Sequence, residues 1–227
     1  MSVVRWQAGQ DLASLDLPRG VYFPISGVVS VMVNMDDGRA LGTRLIGSEG
    51  MGGLFADAMQ GAGMSLKAIG FAETVTVPTD MFFRTLGKSA ALSRLVADEV
   101  ARATATYAIL AGCNHFHSVE ARSARVLLEL HDRTGQGPVR ITQQLIADVL
   151  GVRRGSVTSI MKAFRARDLV AGRRNELAVV DPDGLARFAC NCYATLRSLH
   201  GTLWPRRETS AAMQAPQYGP SISLAGF

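Results

Sequence analysis

The sequence predicts an α+β protein, with strands in its first third and helices after them. Two patterns point there. Short β-branched runs separated by Gly, Asp and Pro turn signals fill the first 80 residues, and a helical apolar period takes over from Met81. Strands followed by helices, rather than alternating with them, mark this class. The 227 residues are 48% hydrophobic and 19% charged, with a mean hydropathy of +0.14. That composition supports a packed core and argues against disorder and against a disulfide-stapled mini-protein. The length suits about two domains. No stretch reaches the ~18 uncharged apolar residues of a membrane helix, and Met1-Ser-Val-Val-Arg-Trp6 has no apolar signal core, so a cytoplasmic protein without membrane contact is expected. Cys113, Cys190 and Cys192 are too few and too clustered for a disulfide framework.

The strand readings run in order. Val21 to Pro24 follows a Pro-Arg-Gly turn, and Gly27 to Asn34 is rich in β-branched residues. Val29, Val31 and Val33 share one face of that strand, because side chains alternate at period two. Asp36-Asp37-Gly38-Arg39 is a hairpin signal, since Gly tolerates positive φ. The partner strand is Ala40 to Ile46, the glycines at 47, 50, 52 and 53 interrupt regular structure, and a last strand runs from Gly70 to Val77. This spacing predicts an antiparallel sandwich or roll. The glycine cluster lacks the Gly-Lys-Ser/Thr ending of a phosphate-binding loop and reads as turns.

From Met81 to about Ala111 the pattern is helical. Leu92, Val96, Glu99, Ala103, Thr106 and Leu110 form one narrow stripe. It suits a helix packed on its own domain or a seam between two copies, and the seam is the reading carried forward. Residues 112–117 are a boundary. Ser118 can cap the next helix, which runs to about Arg133 before Gly135, Gly137 and Pro138 stop it. Residues 205–227 read as a flexible tail.

The most specific signal lies at Thr142 to Asp168. Thr142 can cap a short helix ending at Leu150. Gly151 supplies the positive φ of a tight turn, and a second helix starts near Arg153 and Arg154. Two helices joined so closely cross steeply and need a small residue at the crossing, and Ala147 stands there. Ile146, Leu150, Val152, Val157 and Ile160 are placed to plug the angle. This is a helix-turn-helix pattern. The solvent face of its second helix, with Arg153, Arg154, Gly155, Ser156, Thr158, Ser159 and Lys162, is small, hydroxylic or cationic and carries no carboxylate. Such a face can enter a major groove, where Arg pairs with guanine and hydroxyls reach bases or phosphates. Leu169 to Val180 reads as two short strands around a polar turn, a wing whose Arg173 and Arg174 can touch phosphates.

The charge distribution agrees. Residues 1–112 hold 9 Lys+Arg against 10 Asp+Glu, residues 113–227 hold 15 against 9, and segment 139–180 alone holds 8 against 3. A basic segment of this kind favours contact with the DNA backbone.

In this order, the β-rich half, long helix and winged helix-turn-helix resemble the cyclic-AMP-receptor/Fnr (Crp/Fnr) family of bacterial transcription regulators, over roughly residues 15–200. The likeness is most specific at Cys113-Asn-His-Phe-His-Ser-Val-Glu-Ala-Arg122, Thr142 to Ile160 and Cys190-Asn-Cys192-Tyr193, segments similar to a subgroup common in proteobacteria. The resemblance implies a β-roll sensor domain at 1–80 (double-stranded β-helix or jelly-roll-like), a dimerisation helix and hinge at 81–112 and a DNA-binding domain at 113–204. It implies a homodimer on a two-fold-related promoter site, with RNA polymerase a partner if the protein activates, and it leaves room for a small-molecule effector. DNA contacts are expected from Thr142, Gln143, Arg153, Arg154, Gly155, Ser156, Thr158, Ser159, Lys162, Arg173 and Arg174. The family reads bases with an Arg, a Glu and a second Arg. Here Arg154 keeps the first, while Gly155 and Ser159 replace the others. The family's cyclic-nucleotide pocket uses a Gly-Glu pair and then an Arg. Here Gly52-Gly53 lacks the Glu, and Gly61 to Lys67 holds no Arg. A buried phosphate needs a compensating charge, so no cyclic-nucleotide binding by that mode is expected. No iron–sulfur cluster or haem is expected either, because residues 1–112 contain neither Cys nor His.

Cys113-x-His115-x-His117 has metal-ligand residue types, but its spacing matches no standard zinc pattern and no fourth ligand is evident. It reads as a hinge, and no metal is expected. Cys190 and Cys192, taken as helical, point about 200° apart, with one of them buried. His131 and His200 read as ordinary surface or packing residues. No catalytic residues stand out. The alternatives are a metal-dependent, cupin-like barrel enzyme fused to a helical domain, disfavoured because all four histidines lie at or after residue 115, and a DNA-binding protein that needs no effector.

Overall fold

Two three-stranded antiparallel sheets form the N-terminal half. In the computed structural model, which describes residues 1–12, 20–54, 61–135, 137–172 and 175–203, one sheet has the order β1 (Ser2–Trp6), β6 (Ala72–Pro78), β2 (Gly20–Ser26). The other has the order β4 (Ala40–Ile46), β3 (Val29–Asn34), β5 (Met64–Ala68). Trp6, Tyr22 and Ala72 from the first sheet meet Val29, Val31, Ile46 and Leu66 from the second in one apolar core. The polar tips of the two aromatic residues are satisfied: Trp6 Nε1 donates to Thr74 Oγ1 at 3.0 Å, and Tyr22 OH donates to the Leu12 carbonyl at 2.7 Å. The predicted hairpin forms between β3 and β4, with Gly38 at φ 82°. β1 and β5 were not foreseen.

Pro78 leads into α1 (Thr79–Leu86), followed by the 27-residue α2 (Ala90–Phe116). The sequence suggested one helix from Met81 to Ala111. The chain instead breaks at residues 87–89, where Gly87 ends α1 and the Ser89 side chain caps α2 by accepting from the Leu92 amide at 3.2 Å. The helix also passes through Gly112, so within the expected boundary at residues 112–117 the break falls at His117. Ser118 caps α3 (Val119–Arg133), as its position foretold, accepting from the Ala121 amide at 3.2 Å.

The C-terminal half contains α3, α4 (Gln143–Leu150), α5 (Arg154–Arg165), the strands β7 (Val170–Ala171) and β8 (Ala178–Val179), α6 (Pro182–Ala186) and α7 (Cys192–His200), with a final 3₁₀ turn at Gly201–Leu203. From Arg122 to Arg133 every residue of α3 is buried. Its charged side chains find partners inside the chain. Arg122 donates to the Leu150 carbonyl at 3.1 Å, Arg125 pairs with Glu129, and Asp132 accepts from Tyr193 OH at 2.6 Å.

The two halves share a core. Val28, Met32, Leu45 and Ile69 of the β-rich half pack with Ile146, Val149 and Leu150 of α4. This explains why the apolar run from Val28 to Val33 scarcely alternates. One face of β3 lines the sandwich interior and the other is covered by the helical half, so both faces are apolar. Gly42 is the close-approach point, where a Cβ would stand 3.0 Å from both Cα and O of Val149.

The predicted tail at residues 205–227 lies outside the described residues, as do Arg173 and Arg174 of the wing.

Candidate nucleic-acid interface

Local chemistry builds the helix-turn-helix. The Thr142 side chain accepts from the Leu145 amide at 3.1 Å and starts α4. Gly151 ends it at φ 65°, and the Val152 amide returns to the Ala147 carbonyl at 3.0 Å. The positive φ at residue 151 costs Gly least. Ala147 is fully buried at the crossing. Ile146, Leu150 and Val157 are buried and Val152 and Ile160 half-buried, as the plug requires. Met161 and Phe164, absent from the sequence reading, complete that plug at 0% exposure each.

The opposite face of α5 points to solvent. Arg153, Arg154, Gly155, Ser156, Thr158, Ser159 and Lys162 are all exposed. No side chain caps the N-terminus of α5, so its positive dipole end remains available to an anion. Gln143 joins this surface by accepting from Thr158 Oγ1 at 2.8 Å, which fixes the start of α4 against the middle of α5. Thr142, Gln143 and Arg154 also line one cleft of about 660 Å³ that reaches Gly172 and Asn175 at the wing. Arg165 lines the same cleft and was not singled out from sequence, although the basic balance of segment 139–180 includes it. β7 and β8 pair antiparallel, Val170 with Val179 and Ala171 with Ala178, and so form the expected wing.

Residues 121–188 match the model of the Crp-like helix-turn-helix domain. The chain carries a Crp-like helix-turn-helix domain. Solved structures share its fold. FixK2 from Bradyrhizobium japonicum aligns with a TM-score of 0.67 at 16% identity, covering 83% of this chain and 97% of its own. A CRP-family transcriptional regulator from Thermus thermophilus aligns at 0.60 and 22%, covering 82% and 96%. A CRP/FNR-family regulator from the same organism aligns at 0.62 and 19%, covering 83% and 98%. No curated protein matches the sequence.

The stripe expected to form a dimer seam packs inward within one copy. Val96, Glu99, Thr106 and Leu110 are buried within a single copy, and Leu92 and Ala103 are half-buried. Val96 packs with Val21, Met51 and Phe82. Glu99 pairs with Arg44 of β4 and also with Arg102 at 3.3 Å. The apolar period that looked like a seam is the face α2 turns to its own roll. Ala97, Ala101, Thr104, Ala108 and Ala111 are all exposed, with Thr104 at the edge of a cavity next to the roll.

Between the roll and α2 lies a cavity of about 300 Å³, lined by Arg44, Ile46, Met51, Gly52, Glu99 and Tyr107 among others. Among the described lining residues the one arginine, Arg44, pairs with Glu99. Lys67 does not line it.

At the hinge the structure gathers residues the sequence left apart. Cys113, His117, Cys190 and Cys192 bring their ligand atoms within 4.8 Å of one another. Cys190 precedes α7 rather than lying on it, so the 200° separation does not apply and both thiols are buried on one side. Cys113 is held well below the ordinary thiol range by its hydrogen bond with Cys190. The same bond, with burial, raises Cys190, and burial followed by the Cys113 charge raises Cys192. His115 points elsewhere, exposed and edge-on to the Phe116 ring. His131 and His200 are both buried.

Proposed function

We propose that the chain acts as a homodimeric, sequence-specific transcription regulator on two-fold-related promoter sites in the bacterial cytoplasm. The observation that carries this reading is the exposed, carboxylate-free face of α5, set on a helix-turn-helix whose interior is fully packed. Arg153 and Lys162, with Arg173 and Arg174, serve the phosphates and dominate affinity. Arg154, Ser156, Thr158 and Ser159 serve base edges. Two copies meet along the outer face of α2, where Ala97, Ala101, Thr104, Ala108 and Ala111 recur by four and three residues and their small side chains let two helices approach closely. The paired recognition helices then reach half-sites about one DNA turn apart, ~34 Å. An activating role would add RNA polymerase as a partner.

The roll serves as the sensor, and its cavity takes a largely apolar effector rather than a cyclic nucleotide. Among the described lining residues its single guanidinium is already matched by Glu99, which leaves no cation for a buried phosphate. No haem or iron–sulfur cluster is assigned to the roll, because residues 1–112 lack Cys and His.

Genome-wide selection of DNA bound by the purified chain, with and without extract of the native cells, tests this reading. Enrichment of an inverted repeat supports it, and an extract-dependent change reveals an effector. Failure to enrich any sequence at low ionic strength overturns it.

A further inference from the structure

We propose that Cys113, His117, Cys190 and Cys192 form a structural site for one zinc ion, at the joint between the long helix and the DNA-binding half. Cys113 and His117 stand four residues apart at the end of α2, so they share a helical face. Cys190 and Cys192 flank the start of α7, and the turn between them aims both thiols at that face. Cys113 Sγ lies 3.5 Å from Cys190 Sγ, and Cys192 Sγ lies 3.6 Å from His117 Nδ1. A tetrahedron with Zn–S arms of ~2.3 Å has edges of about 3.8 Å. The observed spacings therefore need only small adjustment around a central ion.

Three sulfurs and one imidazole are a structural zinc donor set, and the closed four-ligand arrangement leaves no position for a substrate. A disulfide between Cys113 and Cys190 would use two of these groups and leave two unexplained. In the bound state all three sulfurs are thiolates, and any thiol proton still held passes to solvent. The resulting thiolates exceed the charge of the ion by one, and the buried Arg125 guanidinium acts electrostatically on both Cys113 and Cys190. The site is invisible in linear spacing because Cys190 follows Cys113 by 77 residues. Its position has a consequence. The ion ties the last turn of α2 to α7 across the Ser118 hinge, so the DNA-binding half is held at a fixed angle to the long helix. The proposal stands on this geometry alone and does not depend on which DNA the protein reads.

The full-length chain, purified with thiols reduced and without affinity-tag histidines, is assayed for metal by mass spectrometry. Metal-stripped chain is titrated with cobalt(II). One equivalent of zinc per chain is expected, together with the thiolate-to-cobalt charge-transfer and intense ligand-field bands of a tetrahedral sulfur site. Cys192→Ser and His117→Ala should each lose most of the bound zinc, and His115→Ala should retain it. Reduced wild-type chain that holds no zinc and gives no such cobalt spectrum overturns the proposal, as does full zinc retention in folded Cys192→Ser. If the variants fail to fold, the wild-type cobalt spectrum decides alone.

Discussion

Arg133 Nε lies 2.7 Å from Glu49 Oε1, and both side chains are only 1% exposed. The pair joins the turn after β4 to the end of α3 and so crosses from the roll to the DNA-binding half. Arg133 also reaches Glu129 Oε2 at 3.2 Å, and Glu129 pairs with Arg125 near the hinge cysteines. One buried ionic chain thus connects the roll to the hinge at the end of the long helix. Removing a single partner from such a pair leaves an uncompensated buried charge. Glu49→Ala should therefore destabilise the chain by about 3–5 kcal/mol. Urea unfolding measures this, and a loss under about 1 kcal/mol would place the contact at a solvated surface.

Acid should loosen the same region. Burial opposes the Glu49 carboxylate, but the Arg133 charge, its hydrogen bond and backbone amides outweigh burial and hold the pKa below the ordinary value. Burial, then the Arg133 charge, lowers that of His200. Both groups have folded values below their unfolded ones, so each contributes stability that is present above the unfolded pKa and lost as pH falls. The Tm should begin to decline below about pH 6.5, where the unfolded chain binds a proton at His200 that the folded chain refuses, and again below about pH 4.3, where the same holds for Glu49. Replacing His200 by Gln should flatten the first decline. A Tm that rises between pH 7 and 5 contradicts this assignment.

Docking of the helix-turn-helix on the roll depends on Gly42. A Cβ there meets the Val149 backbone at 3.0 Å, and backbone cannot move aside as a flexible side chain would. Gly42→Val should cost about 1–3 kcal/mol by overpacking and raise hydrogen-exchange rates along α4. Unchanged exchange in α4 would show that the contact is loose.

The outer face of α2 should hold the dimer. Ala108→Arg places a charge in the middle of that face and should shift the chain towards monomer in sedimentation equilibrium while leaving the thermal transition nearly intact. Val96→Arg should instead unfold the chain, because Val96 packs inside one copy. Dimerisation unaffected by Ala108→Arg would contradict the outer-face seam.

These tests divide along the line of what the sequence made legible. The helix-turn-helix was readable because its determinants are local. Thr142 caps, Gly151 turns, Ala147 lets the helices cross, and each acts within a few residues of itself. The Asp37-Gly38 hairpin and the Ser118 cap were readable for the same reason. Features set by distant contacts were not. β1 alternates weakly because Val3 is exposed at a sheet edge while Trp6 is buried. The stripe on α2 fitted both a seam and a self-packed face, since periodicity shows that a face is buried without showing against what, and the seam was the preferred reading. The buried charges of α3 look like an amphipathic surface until Glu49 and Tyr193 arrive from elsewhere in the chain. The four hinge ligands likewise meet only after folding.

The most direct test of the central claim compares wild-type chain with Arg154→Ala and Lys162→Ala on the selected operator and on scrambled DNA, across a salt series. If α5 reads the duplex, Arg154→Ala should lose about 1–3 kcal/mol on the operator and relax preference at one base pair. Lys162→Ala should weaken both DNAs alike and lower the salt slope by about one. Equal operator affinity and an unchanged base preference for Arg154→Ala would contradict the account.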